Sequence, residues 1–184
     1  CVIVDPGDVA KRIKKFIEDQ ELHPVAILLT HGHFDHVMAV DSVRAAYHIP
    51  VYAAEAEKET MQDASINLSI NMGGAMLSVE ADHWLKDGET ITLLDQEVRC
   101  ILTPGHTVGG MCFYFPKAGM LFSGDTLFQE SVGRTDFPGG SMSEIVRSIR
   151  EKLFVLPDAV QVYPGHGLMT SIKNEKMFNP FAVE

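Results

Sequence analysis

The sequence predicts one α/β domain, spanning residues 1–184, in which parallel and antiparallel strands are mixed. Three observations support this class. Strand-like and helix-like patterns alternate in the first third of the chain, consecutive strand-like runs fill its middle, and 184 residues are sufficient to bury one hydrophobic core. Apolar residues make up 46% of the chain and charged residues 22%, as in an average globular domain.

The first elements alternate between strand and helix. A turn signal at Asp5-Pro6-Gly7 ends the first apolar run, and the apolar run after Pro24 is continuous, which is typical of a strand buried on both faces. The expected elements are strands at Cys1–Val4, Val25–Thr30 and Val51–Ala54, a helix capped by Asp8, and a helix over Val37–Tyr47.

The segment from Glu55 to Ser78 has the weakest pattern. It is helix-like up to Leu68 and then contains Gly73-Gly74, so it forms either a flap over a site or a connecting helix and loop. The acidic run Glu55–Glu59 is expected to be the solvated start of that helix.

The second half of the chain contains a block of strands. Ser141 and Glu144 form a capping box, which predicts a helix with Ile145, Ile149 and Leu153 on one face. The expected strands are Thr90–Leu93, Val98–Leu102, Met111–Phe115, Met120–Ser123 and Val160–Tyr163.

Charge and cysteine content restrict the partners and the compartment. A net charge of −10 repels phosphate backbones, so no nucleic-acid partner is expected. Apolar runs are too short to span a bilayer, and we expect a small-molecule substrate and no membrane contact. Three cysteines without a CxxC motif predict no disulfide framework and therefore a reducing, cytoplasmic setting, with Cys100 and Cys112 as buried, inert thiols.

A dense group of metal-ligand residue types follows the second strand. The segment reads His31-Gly32-His33-Phe34-Asp35-His36. In extended backbone, residues two apart project to the same side, so His31 and His33 can hold one ion. Asp35 and His36 lie just beyond and are free to face a second ion. Compact His/Asp clusters at the end of a strand are typical of metal sites.

Three later strands repeat this arrangement. Each is followed by small residues on a tight turn and then by one further ligand type, at His106, Asp125 and His166. These side chains converge if the strands end on one rim of the sheets. The sequence therefore predicts one metal site built from His31, His33, Asp35, His36, His106, Asp125 and His166.

With these motifs the sequence resembles the metallo-β-lactamase-fold hydrolase superfamily. The glyoxalase II-like (hydroxyacylglutathione hydrolase-like) branch is the most similar, on the segments Val4-Asp5-Pro6-Gly7, Thr103-Pro104-Gly105-His106, Ser123-Gly124-Asp125, Gly133-Arg134-Thr135-Asp136 and Tyr163-Pro164-Gly165-His166-Gly167. The resemblance implies an αβ/βα four-layer sandwich with its site at one edge. It also implies two strands before the one that ends at Asp5, so we expect the intact protein to be longer. It implies a short form, without the C-terminal helical domain of the large glyoxalase II enzymes.

The resemblance also implies how the ligands are shared. One metal ion takes His31, His33 and His106, the other takes Asp35, His36 and His166, and Asp125 bridges the two. Imidazole and carboxylate ligands suit zinc, which we expect, and also iron or manganese.

The implied activity is that of a dinuclear hydrolase acting on thioesters such as acyl-glutathione. Two cations lower the pKa of a shared water, and the resulting hydroxide attacks the carbonyl. Asp35 is the candidate catalytic residue, as a proton relay. The alternatives are a lactonase or other carbonyl ester hydrolase, a β-lactam hydrolase, a mononuclear iron persulfide dioxygenase, and a catalytically idle metal-binding module.

Other residues near the motifs have two interpretations each. Asp5 either orients a metal-bound histidine or is a turn carboxylate. Arg134 and Asp136 form either a bracing ion pair or a substrate contact, and Phe34 and Phe128 either line the pocket or pack in the core. His23, His48 and His83 lie outside any ligand pattern.

Overall fold

The structure is a computed structural model that describes residues 1–7 and 9–182. The strands are β1 (Val2–Val4), β2 (Ala26–Leu28), β3 (Val51–Ala54), β4 (His83–Leu85), β5 (Thr90–Leu93), β6 (Gln96–Leu102), β7 (Met111–Phe115), β8 (Met120–Gly124), β9 (Leu127–Phe128), β10 (Ser131–Val132), β11 (Gln161–Pro164) and β12 (Thr170–Ser171). The α-helices are α1 (Ala10–Asp19), α2 (Phe34–Val37), α3 (Val40–Tyr47), α4 (Lys58–Gln62), α5 (Met142–Ser148) and α6 (Ile172–Phe178).

Two sheets make up the framework. The first holds β1, β2, β3 and β4 in that order, and all of its strand pairs are parallel. The second has the order β12-β11-β8-β7-β6-β5. It is antiparallel from β5 to β8, whereas β11 runs parallel to β8. Strands β9 and β10 form a separate two-stranded hairpin.

Three apolar clusters show how the layers stack. Alternate residues of each sheet face opposite ways, as β geometry requires. In β2, Ala26 and Leu28 pack between the two sheets, while Ile27 packs under α1 and α3. In β7, Phe113 faces the first sheet, while Cys112 packs under α5 and α6. The fold is therefore the expected α/β four-layer sandwich of helices, sheet, sheet and helices.

Most predicted strands are confirmed, and β2 is buried on both faces as expected. Ser141 caps α5 by accepting a hydrogen bond from the Glu144 amide, also as expected. The predicted helix over Val37–Tyr47 is divided into α2 and α3, with α2 beginning earlier, at Phe34. The predicted cap Asp8 lies outside the described residues.

The segment after β3 differs most from its prediction. In place of one helix up to Leu68 it contains a 3₁₀ turn over Glu55–Glu57, α4, and a π-type turn over Ser69–Gly73. The side chain of Asp63 accepts the amide of Ser65, which ends the helical run. The expectation of a solvated acidic helix start was wrong at Glu57, which is only 1% exposed.

None of the helices in the described part of the chain has the length and apolar character needed to span a membrane.

Cys100 and Cys112 are buried free thiols, and burial raises their pKa values to about 12 and about 11. Both therefore stay protonated and unreactive at neutral pH.

Candidate metal centre

The predicted ligands meet where four strands end. β2 runs into the His31 segment, β6 leads to His106, β8 leads to Asp125, and β11 leads to His166. Because β8 and β11 are parallel neighbours, their carboxyl ends lie side by side. The amide of Gly165 donates to the carbonyl of Gly124 at 2.9 Å, which keeps the two turns together beyond the strands.

Three buried histidines form the first group, made of His31, His33 and His106. Each offers one ring nitrogen, and these three atoms lie within 4.8 Å of one another. Nδ1 of His33 and Nε2 of His106 are 2.9 Å apart. This is the triad that the family resemblance implies for one metal ion.

The second group consists of Asp35, His36 and His166. Nε2 of His166 lies 3.2 Å from Nε2 of His36 and 3.2 Å from Oδ2 of Asp35. The side chain of His36 is almost fully buried, whereas those of Asp35 and His166 are 41% and 56% exposed. One side of this group is therefore open to incoming molecules.

Asp125 lies between the two groups. Its Oδ1 is 3.4 Å from Nε2 of His36, and its Oδ2 is 3.7 Å from Nε2 of both His106 and His166. One carboxylate thus borders both triads, the position that the resemblance implies for a bridging ligand.

The donor set fits divalent cations. Buried polar atoms normally have hydrogen-bond partners. Among the described residues, however, Nε2 of His31, Nε2 of His33 and Oδ1 of Asp125 are buried without one. A cation accepts lone pairs from such atoms, and imidazole with carboxylate is a donor set that zinc and iron use.

The electrostatics keep the first group ready to bind a metal. Burial lowers the pKa of His33 to about 3 and also lowers the pKa values of His31 and His106. These imidazoles are therefore neutral at pH 7, which is the form that binds metal.

His36 behaves in the opposite way. Burial alone would lower its pKa, but the hydrogen bond and charge of Asp5, together with Asp125 and Asp35, raise the pKa to about 9. Without metal His36 carries a proton at pH 7, and a cation bound by this ring must displace that proton.

Asp5 orients His36, as one of the two interpretations of this residue predicts. Its Oδ2 lies 2.9 Å from Nδ1 of His36, which leaves Nε2 pointing into the centre. The carboxylate is itself held by the amide of Thr30 at 2.7 Å and by the hydroxyl of the same residue at 2.5 Å. His106 is oriented in the same manner, because its Nδ1 donates to the carbonyl of Arg134 at 2.7 Å.

Glu57 is a site residue that the sequence did not predict. Its Oε1 accepts a hydrogen bond from the amide of Gly32, and its Oε2 accepts hydrogen bonds from the amide of Gly109 and the hydroxyl of Thr107. Glu57 therefore links the turn that carries His31 and His33 to the turn that carries His106. Burial raises the pKa of Glu57 to about 7, against the hydrogen bonds that favour the charged form. In the sequence it is one acid in an acidic run, and no local pattern distinguishes it.

Glycine is required where the turns pass close to the centre. A Cβ on Gly165 would lie 2.5 Å from Oδ1 of Asp125 and 2.6 Å from Cε1 of His36. Gly105, before His106, has φ of +137°, and a Cβ there would lie 2.3 Å from the amide nitrogen of Ile145.

A cavity of about 410 Å³ opens over the centre. Phe34 and Phe128 both line it, as one of their two interpretations predicts. Arg134 and Asp136 form the predicted ion pair beside it, with nitrogen to oxygen distances of 2.7 and 2.6 Å.

His23, His48 and His83 belong to none of the ligand groups, and His83 stacks on Tyr52 in the first sheet.

Sequence comparison identifies one family. Residues 1–166 match the model of the metallo-beta-lactamase superfamily. A protein of Bacillus subtilis named "Probable metallo-hydrolase YqgX" is 40% identical over 182 residues, which cover 98% of this chain and 86% of the relative. The "Hydroxyacylglutathione hydrolase GloC" of Haemophilus influenzae is 35% identical over 185 residues, covering 98% of this chain and 86% of that protein.

Solved structures agree with the sequence relatives. The crystal structure of BLEG-1 B3 metallo-beta-lactamase matches with a TM-score of 0.94 at 40% identity, covering 100% of this chain and 88% of that one. TTHA1623 in a di-iron-bound form matches with a TM-score of 0.86 at 35% identity, covering 97% and 87%. On its fold, its ligand groups and these relatives, the chain belongs to the metallo-beta-lactamase superfamily of metallo-hydrolases.

Proposed function

We propose that this protein is a dinuclear metal-dependent hydrolase that cleaves thioesters. The observation that carries the proposal is the pair of ligand triads with Asp125 between them, and both triads contribute side chains to one cavity. A complete set of seven ligand residues for two ions is what a two-metal hydrolytic site requires. The relative named hydroxyacylglutathione hydrolase supports a thioester as the bond that is cleaved.

We propose zinc as the metal, with iron as the alternative. Four of the six residues in the two triads are histidines with buried rings, and imidazole is a ligand that zinc binds readily. The di-iron form of TTHA1623 supports the capacity of this ligand arrangement for iron. Elemental analysis of protein purified from metal-supplemented growth distinguishes the two.

The chemistry balances as a simple hydrolysis. When bound, divalent cations in such a site supply an activated water and polarise a carbonyl oxygen. Water adds to the thioester carbonyl, the carbon–sulfur bond breaks, and the products are a carboxylic acid and a thiol. The chain's own residues must orient the ligands and deliver one proton to the leaving sulfur.

Asp35 is the residue proposed to move that proton. Its carboxylate is partly exposed, lines the cavity, and lies 3.2 Å from His166. It can therefore reach both the centre and a substrate above it. We expect Asp35→Asn to reduce the rate or the metal content. A variant that keeps both at the wild-type level rules out this role.

Hydrolysis of β-lactams is the second candidate function. It rests on the structural match to BLEG-1 B3 metallo-beta-lactamase at 40% identity. A β-lactam amide is also a carbonyl compound that an activated water can open, so the same centre serves both reactions.

We further propose a cytoplasmic location, because Cys1, Cys100 and Cys112 are all free thiols.

A panel of substrates tests the proposal. Metal-loaded protein is assayed with an acyl-glutathione, a neutral aryl thioester, an acyl-CoA, a lactone and a chromogenic cephalosporin. Turnover of thioesters with two metal equivalents per chain is the expected result. Faster turnover of the cephalosporin favours the second candidate. Two metal equivalents without turnover of any carbonyl substrate would show a catalytically idle metal-binding module.

A further inference from the structure

Apart from the candidate ligands, the residues that line the cavity above the metal centre are mainly apolar. Phe34, Leu68, Met72 and Phe128 line it together with Phe137. Two of these rings stand beside ligands: the ring centroid of Phe137 is 5.6 Å from that of His33, and that of Phe128 is 6.4 Å from that of His166. A substrate whose carbonyl lies at the centre therefore places its substituents against aromatic and aliphatic surface.

Positively charged side chains are scarce around this cavity. Among the described residues that line it, Arg134 is the one Lys or Arg. A neighbouring cavity of about 310 Å³, which shares Asp35 and His166 with the first, is also lined by Asp5 and by no described Lys or Arg. Among the described side chains, Arg134 is therefore the one Lys or Arg that could pair with a substrate carboxylate in the cavity over the centre, and the second cavity offers none.

The guanidinium of Arg134 is already engaged. Its Nε donates to Oδ1 of Asp136 at 2.7 Å and its Nη2 donates to Oδ2 at 2.6 Å, a bidentate pair that uses the edge suited to carboxylates. Its Cζ lies 3.9 Å from the ring centroid of Phe137. Asp136 thus occupies one of the two guanidinium edges that a substrate carboxylate could use.

We infer that the substrates are thioesters whose groups near the reacting carbonyl are uncharged and apolar, and that Asp136 selects against anionic substrates by occupying Arg134. The inference rests on the proposed thioester hydrolysis and deepens it. It implies that glutathione, whose peptide carries two carboxylates, is a poorer leaving group for this site than a neutral thiol of similar size.

A matched pair of probes tests the inference. The same acyl group is attached to the sulfur of N-acetylcysteine, which carries one carboxylate, and to its methyl ester, which carries none. For the wild-type protein we expect kcat/KM to be about tenfold or more higher for the ester, the effect of one missing charge-assisted hydrogen bond. Equal values, or a preference for the anionic probe, would overturn the inference while leaving thioester hydrolysis intact.

Variants identify the residue responsible. Asp136→Asn frees the guanidinium, and we expect it to raise kcat/KM for the anionic probe about threefold to fivefold with no change for the ester, in keeping with the strength of an exposed ion pair. The double variant with Arg134→Gln loses that gain. Glu144→Gln is the matched control, because Glu144 forms an exposed ion pair with Arg147 on α5. An Asp136→Asn variant with the wild-type ratio of the two probes contradicts the assigned role of Asp136.

Calorimetry with uncleavable thioether analogues of both probes separates the two levels of the proposal. If neither probe and no thioester of the substrate panel is hydrolysed, the thioester function is wrong. Tighter binding of the neutral thioether still supports the selection at Arg134, whereas equal or weaker binding overturns it.

Discussion

Replacing Glu57 should damage one half of the metal centre and spare the other. This buried carboxylate accepts hydrogen bonds from three donors in the turns of His31, His33 and His106, and none of these hydrogen bonds comes from Asp35, His36 or His166. Glu57→Ala leaves the amides of Gly32 and Gly109 and the hydroxyl of Thr107 without this acceptor.

The size of the effect follows from those contacts. A buried donor left without a partner costs about 1–3 kcal/mol, so three such donors cost at least about 3 kcal/mol of folding stability. If half of the lower figure, about 1.5 kcal/mol, appears as weaker metal binding because the ligand turns are less well aligned, metal affinity at the first triad falls about tenfold. Glu57→Gln keeps an acceptor oxygen on one side and should give an intermediate loss.

Equilibrium dialysis with elemental analysis measures both affinities, and thermal unfolding confirms that each variant is folded. Glu175→Ala is the matched control, because Glu175 is equally buried and accepts hydrogen bonds from Glu130, Thr170, Asn174 and Asn179, none of which adjoins a predicted ligand. We expect the control to lose stability but to bind both metals normally. Equal metal affinities in the Glu57 variants and the wild type would refute the positioning role.

Three further predictions follow from the same geometry. The pKa of Glu57 is raised from its ordinary value of 4.5 to about 7, so its contribution to stability is full below pH 4.5 and is lost as pH rises through 7. In chelator-treated protein, the difference in unfolding free energy between wild type and Glu57→Gln should therefore fall by about 3 kcal/mol across this range in urea titrations, and a constant difference would contradict it. Asp5→Asn should weaken metal binding through His36 about tenfold to hundredfold, as seen by dialysis, because the ring loses its carboxylate partner. Gly165→Ala should lower the metal content toward one equivalent, because the new Cβ would collide with Asp125 and His36, and full occupancy would show that the turn adapts.

The ligand motifs were predictable because their signal is local. Each follows an apolar strand and a tight turn, and parallel β8 and β11 place Asp125 and His166 together without any long-range information beyond the sheet order. The continuous apolar runs in the sequence likewise predicted β2 and β7, and both of these strands are packed on both faces.

The elements that the sequence did not predict depend on tertiary contacts. Strand β4 is three residues long and is defined by its pairing with β3, which no local period reveals. The role of Glu57 arises from turns that are 25 and 50 residues away in the chain. Its burial required the packed structure, since a carboxylate in an acidic run is normally solvated.

We propose above all that each of the two triads holds a cation, with Asp125 between them. Anomalous X-ray diffraction from crystals grown with zinc tests this most directly. We predict two peaks per chain, one bordered by His31, His33 and His106 and the other by Asp35, His36 and His166, with a carboxylate oxygen of Asp125 near each. A single peak, or peaks away from these residues, would contradict the account.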